Sequence, residues 1–325
     1  MELPRGLTMA LESLTEASDI THLQAAARRI SERYRAHTGQ GERLLTEDNE
    51  ALAYALSRMP ATFAAVSAAL SWSLECCEPP LAFSSLLDVG AGTGAVTWAA
   101  AELLAFDEII CLEREGAMRR LGEELTRGGM GANDLRPNWL AHDLTSDASL
   151  PPADLVIASY VLSELSDDDA SHAARRLLEA AGKLLLIVEP GTPSGWARLN
   201  WLRRQLITAG ARLAAPCPHE NKCPIAPDDW CHFCVRVART RIHRYLKAAD
   251  APYEDEKFSY LAFAKSQAQP ASGRVLRHPY IGGGYVKLRI CAAGGIVGET
   301  ITKKQGEYYK RARKLNCGDR LEKNS

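Results

Sequence analysis

No stretch of the sequence approaches the roughly 20 consecutive apolar residues that span a bilayer. The opening MELPRGLTMALESLTEA lacks a basic start followed by an apolar core, so neither a membrane partner nor a secretory leader is expected. Net charge is also nearly absent, −1 over 325 residues, which excludes both a polycation and an acidic solvating chain. There are no internal repeats and no long low-complexity tracts. Thiol is what the chain has in quantity. Nine cysteines without an export signal argue against a disulfide framework. They point to a cytoplasmic protein, or to one of the mitochondrial matrix if a presequence is missing.

Four of the nine, Cys217, Cys223, Cys231 and Cys234, fall in the run CPHENKCPIAPDDWCHFC. The prolines that follow Cys217 and Cys223 stiffen the loop and keep it out of helix or sheet. Thiols this dense in a reducing compartment hold zinc or an iron–sulfur centre, and spacing alone does not choose between them. On spacing alone the fourth ligand is Cys234, two residues from Cys231. His219 and His232 are the zinc-type alternatives. A nucleophilic Pro216-Cys217 for cytosine methylation fits less well, because its neighbours are further cysteines.

With 46% hydrophobic residues the chain can fill a proper core. Residues 22–77 carry apolar positions at helical spacing, interrupted by HTGQGE at 37–42 and by Pro60, and Pro79-Pro80 closes the region. Residues 1–80 are therefore expected to form an N-terminal helical domain. From Ser84 short apolar runs alternate with amphipathic stretches: SLLDV, EIICLE, NWLAHD, ADLVIASY and KLLLIVE read as strands. That alternation predicts an α/β fold with a parallel sheet over residues 81–268, its ligand beyond the carboxyl ends of the strands. A cysteine-rich insert occupies 216–250, and YVKLRICAA and IVGETITK suggest a small, basic, β-rich segment at 269–325. Residues 236–247 read as a basic helix carrying Arg236, Arg239, Arg241, Arg244 and Lys247, some of which can pair with Glu254, Asp255 or Glu256.

Asp88-Val89-Gly90-Ala91-Gly92-Thr93-Gly94 follows an apolar strand and precedes a helix. Its glycines let the backbone bend and let a ligand reach amide N–H groups. Alone this also satisfies a loose dinucleotide fingerprint. Glu113 ends the second strand, where a carboxylate can accept both hydroxyls of a ribose. Asp143 ends the third, where an acid can accept from an adenine amino group. With these residues the chain resembles the class I S-adenosylmethionine-dependent methyltransferases, whose first motif D-x-G-x-G-x-G is matched by Asp88, Gly90, Gly92 and Gly94. The resemblance implies a Rossmann-like methyltransferase sheet. It also implies that the glycine turn holds the methionine part of the cofactor and Glu113 the ribose.

A second resemblance covers nearly all of residues 50–300. APCPHENKCP, DDWCHFCVRVARTRIHRYLK, YEDEKFSYLAFAK, SYVLSEL and VEPGTPSG are similar to the small-ribosomal-subunit methyltransferase-like family, which includes mitochondrial ribosome assembly factors and bacterial relatives. That resemblance implies a [4Fe–4S] cluster on Cys217, Cys223, Cys231 and Cys291, with Cys234 left as a neighbour. It also implies the small ribosomal subunit and its rRNA as partner, and a protein that is monomeric apart from the ribosome. The basic residues of 236–247 are then candidate RNA contacts. The acceptor is not legible, because Ala158-Ser159-Tyr160-Val161 stands where amine methyltransferases show Asn/Asp-Pro-Pro-Tyr. Tyr160 and Glu164 lie in the right region without a defined role. A methyltransferase of a ribosomal target, an assembly factor using the fold as a platform, and a zinc-containing small-molecule methyltransferase all stay open.

Overall fold

The computed structural model describes residues 1–37, 47–77, 80–128, 136–265 and 268–321. Most of the HTGQGE turn and Pro79 lie outside them. Four helices come first: α1 (Arg5–Glu16), α2 (Ile20–His37), α3 (Asp48–Ser57) and α4 (Met59–Leu74). Pro60 sits in the first turn of α4, where its missing N–H costs nothing. The alternating region follows as β1 (Ser85–Val89), α5 (Ala95–Leu103), β2 (Glu108–Glu113), α6 (Gly116–Leu125), β3 (Asn138–Ala141), β4 (Ala153–Ser159), α7 (Asp167–Ala180) and β5 (Ala181–Pro190). These five strands are parallel in the order β3-β2-β1-β4-β5. Helices cover both faces, which is why the central strands read as unbroken apolar runs. Leu184 to Val188 of β5 are all fully buried. The result is a mixed α/β protein with a Rossmann-like sheet. Among the described residues no helix is long and apolar enough to cross a membrane.

The N-terminal helices and the sheet share one continuous core, in which Leu7, Leu23, Met59 and Leu70 pack with Leu86, Leu155 and Leu184. Trp72 of α4 reaches furthest, stacking on Phe258 at 5.9 Å and meeting Phe233 edge-on at 5.5 Å. Such ring pairs contribute about 0.5–1.5 kcal/mol each beyond the area they bury.

After α8 (Pro193–Thr208) the sheet is completed by β6 (Arg212–Ala215), β7 (Phe233–Ala238) and β8 (Tyr253–Ala264), with α9 (Arg241–Lys247) between the last two. β8 runs antiparallel to β5, and Phe258 has Pro190 on one side and Phe233 on the other. β6 and β7 therefore line the same edge of β8, β6 against Ala262–Ala264 and β7 against Tyr253–Phe258. The cysteine loop 216–232 is the excursion the chain makes between them. Ser259 Oγ, in the gap, donates to the carbonyl of Cys231 at 2.7 Å.

The expected helix over 236–247 is corrected here: residues 236–238 are the end of β7 and only Arg241–Lys247 is helical. Val235 and Val237 favour an extended strand where the edge of β8 offers hydrogen bonds. The helix waits for Thr240, whose side chain accepts from His243 N. A second sheet, of β9 (Gly273–Val275), β10 (Tyr280–Ile281), β11 (Tyr285–Ala292), β12 (Gly295–Thr302) and β13 (Arg320–Leu321), lies beyond, with α10 (Glu307–Ala312) packed on it.

Gly122 of α6 marks how tightly the layers meet, because a Cβ there would lie inside the envelope of the Trp139 indole of β3. In an open helix Gly→Ala gains about 1 kcal/mol. Here Gly122→Ala should instead lower stability by about 1–3 kcal/mol through overpacking. Urea unfolding measures it, and a stabilised variant would contradict this packing.

Candidate functional site

A cleft of about 100 Å³ opens at the carboxyl ends of β1, β2 and β4 and is lined by Gly90, Gly92, Glu113, Asp143, Tyr160 and Glu164 among others. Gly90, Gly92 and Gly94 all have positive φ, at 69°, 56° and 90°, so the turn needs glycine in each place. At Gly90 a Cβ would also approach Val161 Cγ2 to 2.7 Å. Glu113 ties this turn to the next one. Its Oε2 accepts from Gly92 N at 2.8 Å and its Oε1 from Glu115 N at 2.7 Å. Burial pushes its carboxyl above the usual range, and those two N–H groups oppose the rise.

The other motif residues divide. Asp88 is fully buried beneath the turn and does not line the cleft. Its Oδ2 accepts from Thr97 Oγ1 at 2.8 Å, its Oδ1 has no partner, and burial pushes its pKa up to about 7. Gly94 caps α5 in the left-handed conformation and also stands outside the lining. Asp143 is at the cleft, but β3 ends at Ala141, so it does not close that strand as expected. It accepts from Thr145 N and Oγ1 at 3.0 and 2.7 Å, a turn that stops the strand two residues early.

Tyr160 has a positive φ of 58°, rare for a bulky residue, and its hydroxyl donates to Glu256 Oε1 at 2.8 Å. Tyr54 of α3, Met118 and His142 complete the walls. Tyr54 enters only because α3 packs on α6. No local pattern in the sequence marks it.

A second cavity, of about 40 Å³, lies against the cysteine loop. Cys217, Cys223 and Cys231 of the loop and Cys291 of β11 all line it, together with Arg203 of α8. Cys234 does not line it; it lies on β7 beside Cys317. All nine thiols are free of disulfides. Burial, and then the neighbouring thiols, push up the Cys231 and Cys291 thiols, that of Cys291 to about 12. The Cys217 thiol is also raised by burial, against which Arg203 pulls it down. Among the described residues no group of three or more His, Cys, Asp or Glu side chains is drawn close enough to hold a metal ion. Four thiols facing one cavity, with a guanidinium beside them, fit a thiolate-ligated centre.

The basic segment is largely neutralised. Arg236 forks onto Asp255 at 2.8 and 2.9 Å. Arg239 and Lys247 both hold Glu254, at 2.9 and 2.8 Å. Arg241 and Arg244 stay exposed on α9.

A family model described as "Mitochondrial small ribosomal subunit Rsm22" matches residues 48–322. The human "Ribosome assembly protein METTL17, mitochondrial" is 26% identical over 344 residues, covering 98% of this chain and 73% of that protein. "Rsm22-cox11 tandem protein 2, mitochondrial" of Schizosaccharomyces pombe is 23% identical over 51% of this chain and 28% of its own length. Among solved structures, magnesium protoporphyrin IX methyltransferase of Synechocystis PCC 6803 with bound SAM is 14% identical. It covers 72% of this chain and 90% of its own, with a TM-score of 0.42.

His243 makes the stability of the basic segment depend on pH. Its side chain is fully buried, 3.4 Å from Glu254, and burial followed by the charge of Lys247 holds its pKa down to about 4. The unfolded chain takes up a proton near pH 6.5. Stability present above pH 6.5 is thus lost as pH falls toward 4, by about 2 kcal/mol after allowance for screening. His243→Leu should flatten that part of the pH profile of urea unfolding. A variant profile parallel to the wild type would contradict it.

Proposed function

Because the chain belongs to the Rsm22 family of mitochondrial small ribosomal subunit proteins, we propose that it acts on or assembles a small ribosomal subunit, of mitochondrial or bacterial kind. It binds S-adenosylmethionine in the cleft beside Gly90 and Gly92. It holds a [4Fe–4S] cluster on Cys217, Cys223, Cys231 and Cys291. The observation that carries this reading is the convergence of three loop thiols and one thiol from the second sheet on a single cavity. The ribosomal description of the family and the name of the human relative support the ribosomal role. The matched motif of Asp88, Gly90, Gly92 and Gly94 supports the cofactor, as does the carboxylate of Glu113 at the end of β2.

Within this reading the residues have separate tasks. Asp88 stabilises the turn from below through Thr97. Gly90 and Gly92 leave backbone open to the methionine part of the ligand, and Glu113 keeps lone pairs for ribose hydroxyls beside those that hold Gly92 and Glu115. Asp143 stands where an adenine amino group can donate to it. When bound, S-adenosylmethionine supplies an electrophilic methyl group, and much of the rate of its transfer comes from positioning. A cluster held only by the folded form stabilises it by an amount that grows with the logarithm of its affinity, and here it would join the loop to the second sheet. Arg241 and Arg244, exposed on α9, are the cations left for RNA phosphate once Arg236, Arg239 and Lys247 are counted with their carboxylates.

Protein purified without oxygen should be brown and carry iron and sulfide at about four each per chain. Cys291→Ser should lose both, and Cys234→Ser should keep them. A colourless protein containing zinc would replace the cluster by a zinc centre on the same donors.

Gly92→Asp sets a carboxylate beside Glu113 and should abolish binding of S-adenosylmethionine while the fold survives. Methyl incorporation into small subunits should disappear with it. If instead the variant supports subunit assembly as well as wild type, and wild type transfers no methyl group, the fold serves as a platform.

A further inference from the structure

Two arginines near the cysteine cavity are almost fully buried, Arg203 at 2% exposure and Arg274 at 1%. Neither makes an ion pair with a carboxylate among the described residues, although Glu75 and Asp319 act on Arg274 from further off. Arg203 Nη2 donates to the carbonyl of His219 at 2.6 Å, its Nε has no partner, and its side chain lines the same cavity as Cys217, whose thiol its charge pulls down. Arg274 donates to the carbonyls of Pro216 and Gly318 at 3.3 and 2.9 Å and to Cys76 Sγ at 3.4 Å. It is also the cross-strand partner of Cys291, so the two side chains share one face of the second sheet.

Carbonyl oxygens satisfy the hydrogen bonds of a guanidinium but do not cancel its charge. Removing a cation from water without a counter-ion costs several kcal/mol, and proteins seldom accept that cost twice in one place. Both cations flank one short stretch: Arg274 donates to Pro216, Arg203 lines the cavity beside Cys217, and each adjoins one of the two elements that bring thiols to the cavity. Four thiolates around a dipositive core leave two negative charges over, whether the core is a cluster or a zinc ion.

We propose that Arg203 and Arg274 are the built-in counter-charges of the thiolate centre, and that they make this cavity specific for an anionic metal–thiolate group. The inference rests on the metal reading of the four cysteines. It assigns the arginines a role opposite in sign in the two states of the protein. With the group bound, the two guanidiniums would offset its negative charge. Without it, the Arg203 charge is buried against a carbonyl alone and that of Arg274 is offset only in part, by Glu75 and Asp319, so the pair destabilises the fold.

The test compares Arg203→Gln, which keeps an amide to donate to His219 but loses the charge, with Arg203→Lys, which keeps the charge. Arg274→Gln is the second variant, read in the same way. In protein loaded and handled without oxygen, release of metal to a coloured chelator should be about 10- to 100-fold faster for Arg203→Gln than for wild type. It should be near wild type for Arg203→Lys. If the metal is iron, the reduction potential of Arg203→Gln should be more negative, since a positive charge favours the reduced form. In metal-free protein the order should reverse, with Arg203→Gln unfolding at higher urea than wild type. Release from loaded Arg203→Gln at the wild-type rate, or equally fast release from Arg203→Lys, would overturn the counter-charge role and leave the metal site standing. Wild-type protein that carries neither iron nor zinc would overturn both.

Discussion

The double pairing of β8 is the constraint on which the rest of this protein hangs. One edge of the strand is held by β5 and closes the parallel sheet. The other is shared by β6 and β7, which leave the stretch around Ser259 to Leu261 without a strand beside it. The chain has to leave the sheet at Ala215 and return at Phe233. Both ends of the cysteine loop are thereby fixed by backbone hydrogen bonds, although the loop itself has little regular structure. A loop held in this way can present thiols at defined places without paying for its own ordering when a ligand binds.

The second sheet completes what the loop begins. β11 brings Cys291 against the loop, and β9, its neighbour, carries Arg274 to the carbonyl of Pro216. The same arginine touches Cys76 just past the end of α4, so the helical region, the loop and the second sheet meet around one side chain. The cofactor cleft is built with the same economy. Glu113 accepts from two successive turns and holds them at a fixed separation, and Asp88 works from beneath the turn without reaching the cleft.

Much of the sheet was legible in the sequence because its strands are covered on both faces and read as short apolar runs between amphipathic helices. The glycine turn was legible because three positive φ values admit few other residues. Legibility ended where long-range packing decides. Tyr54 reaches the cleft from a helix more than thirty residues ahead of the glycine turn. Cys291 sits in an ordinary antiparallel strand, and nothing in its spacing sets it beside Cys217; a family resemblance singled it out. The stretch 236–247 looked like one helix because its cations are spread evenly, but the free edge of β8 takes the valines first. Those cations also looked like a patch, and three of them prove to be held by Glu254 and Asp255.

The central claim is that four thiols from two separate parts of the chain serve one centre. Alkylation of the native protein, read cysteine by cysteine by mass spectrometry before and after chelation, tests it directly. Cys217, Cys223, Cys231 and Cys291 should be protected together while the metal is bound and label together once it is removed in mild urea. The urea opens the cavity that otherwise keeps these thiols protonated, while the labelling of Cys234 does not depend on the metal. Labelling of Cys291 while the three loop cysteines remain protected, or protection of Cys234 in its place, would contradict the account.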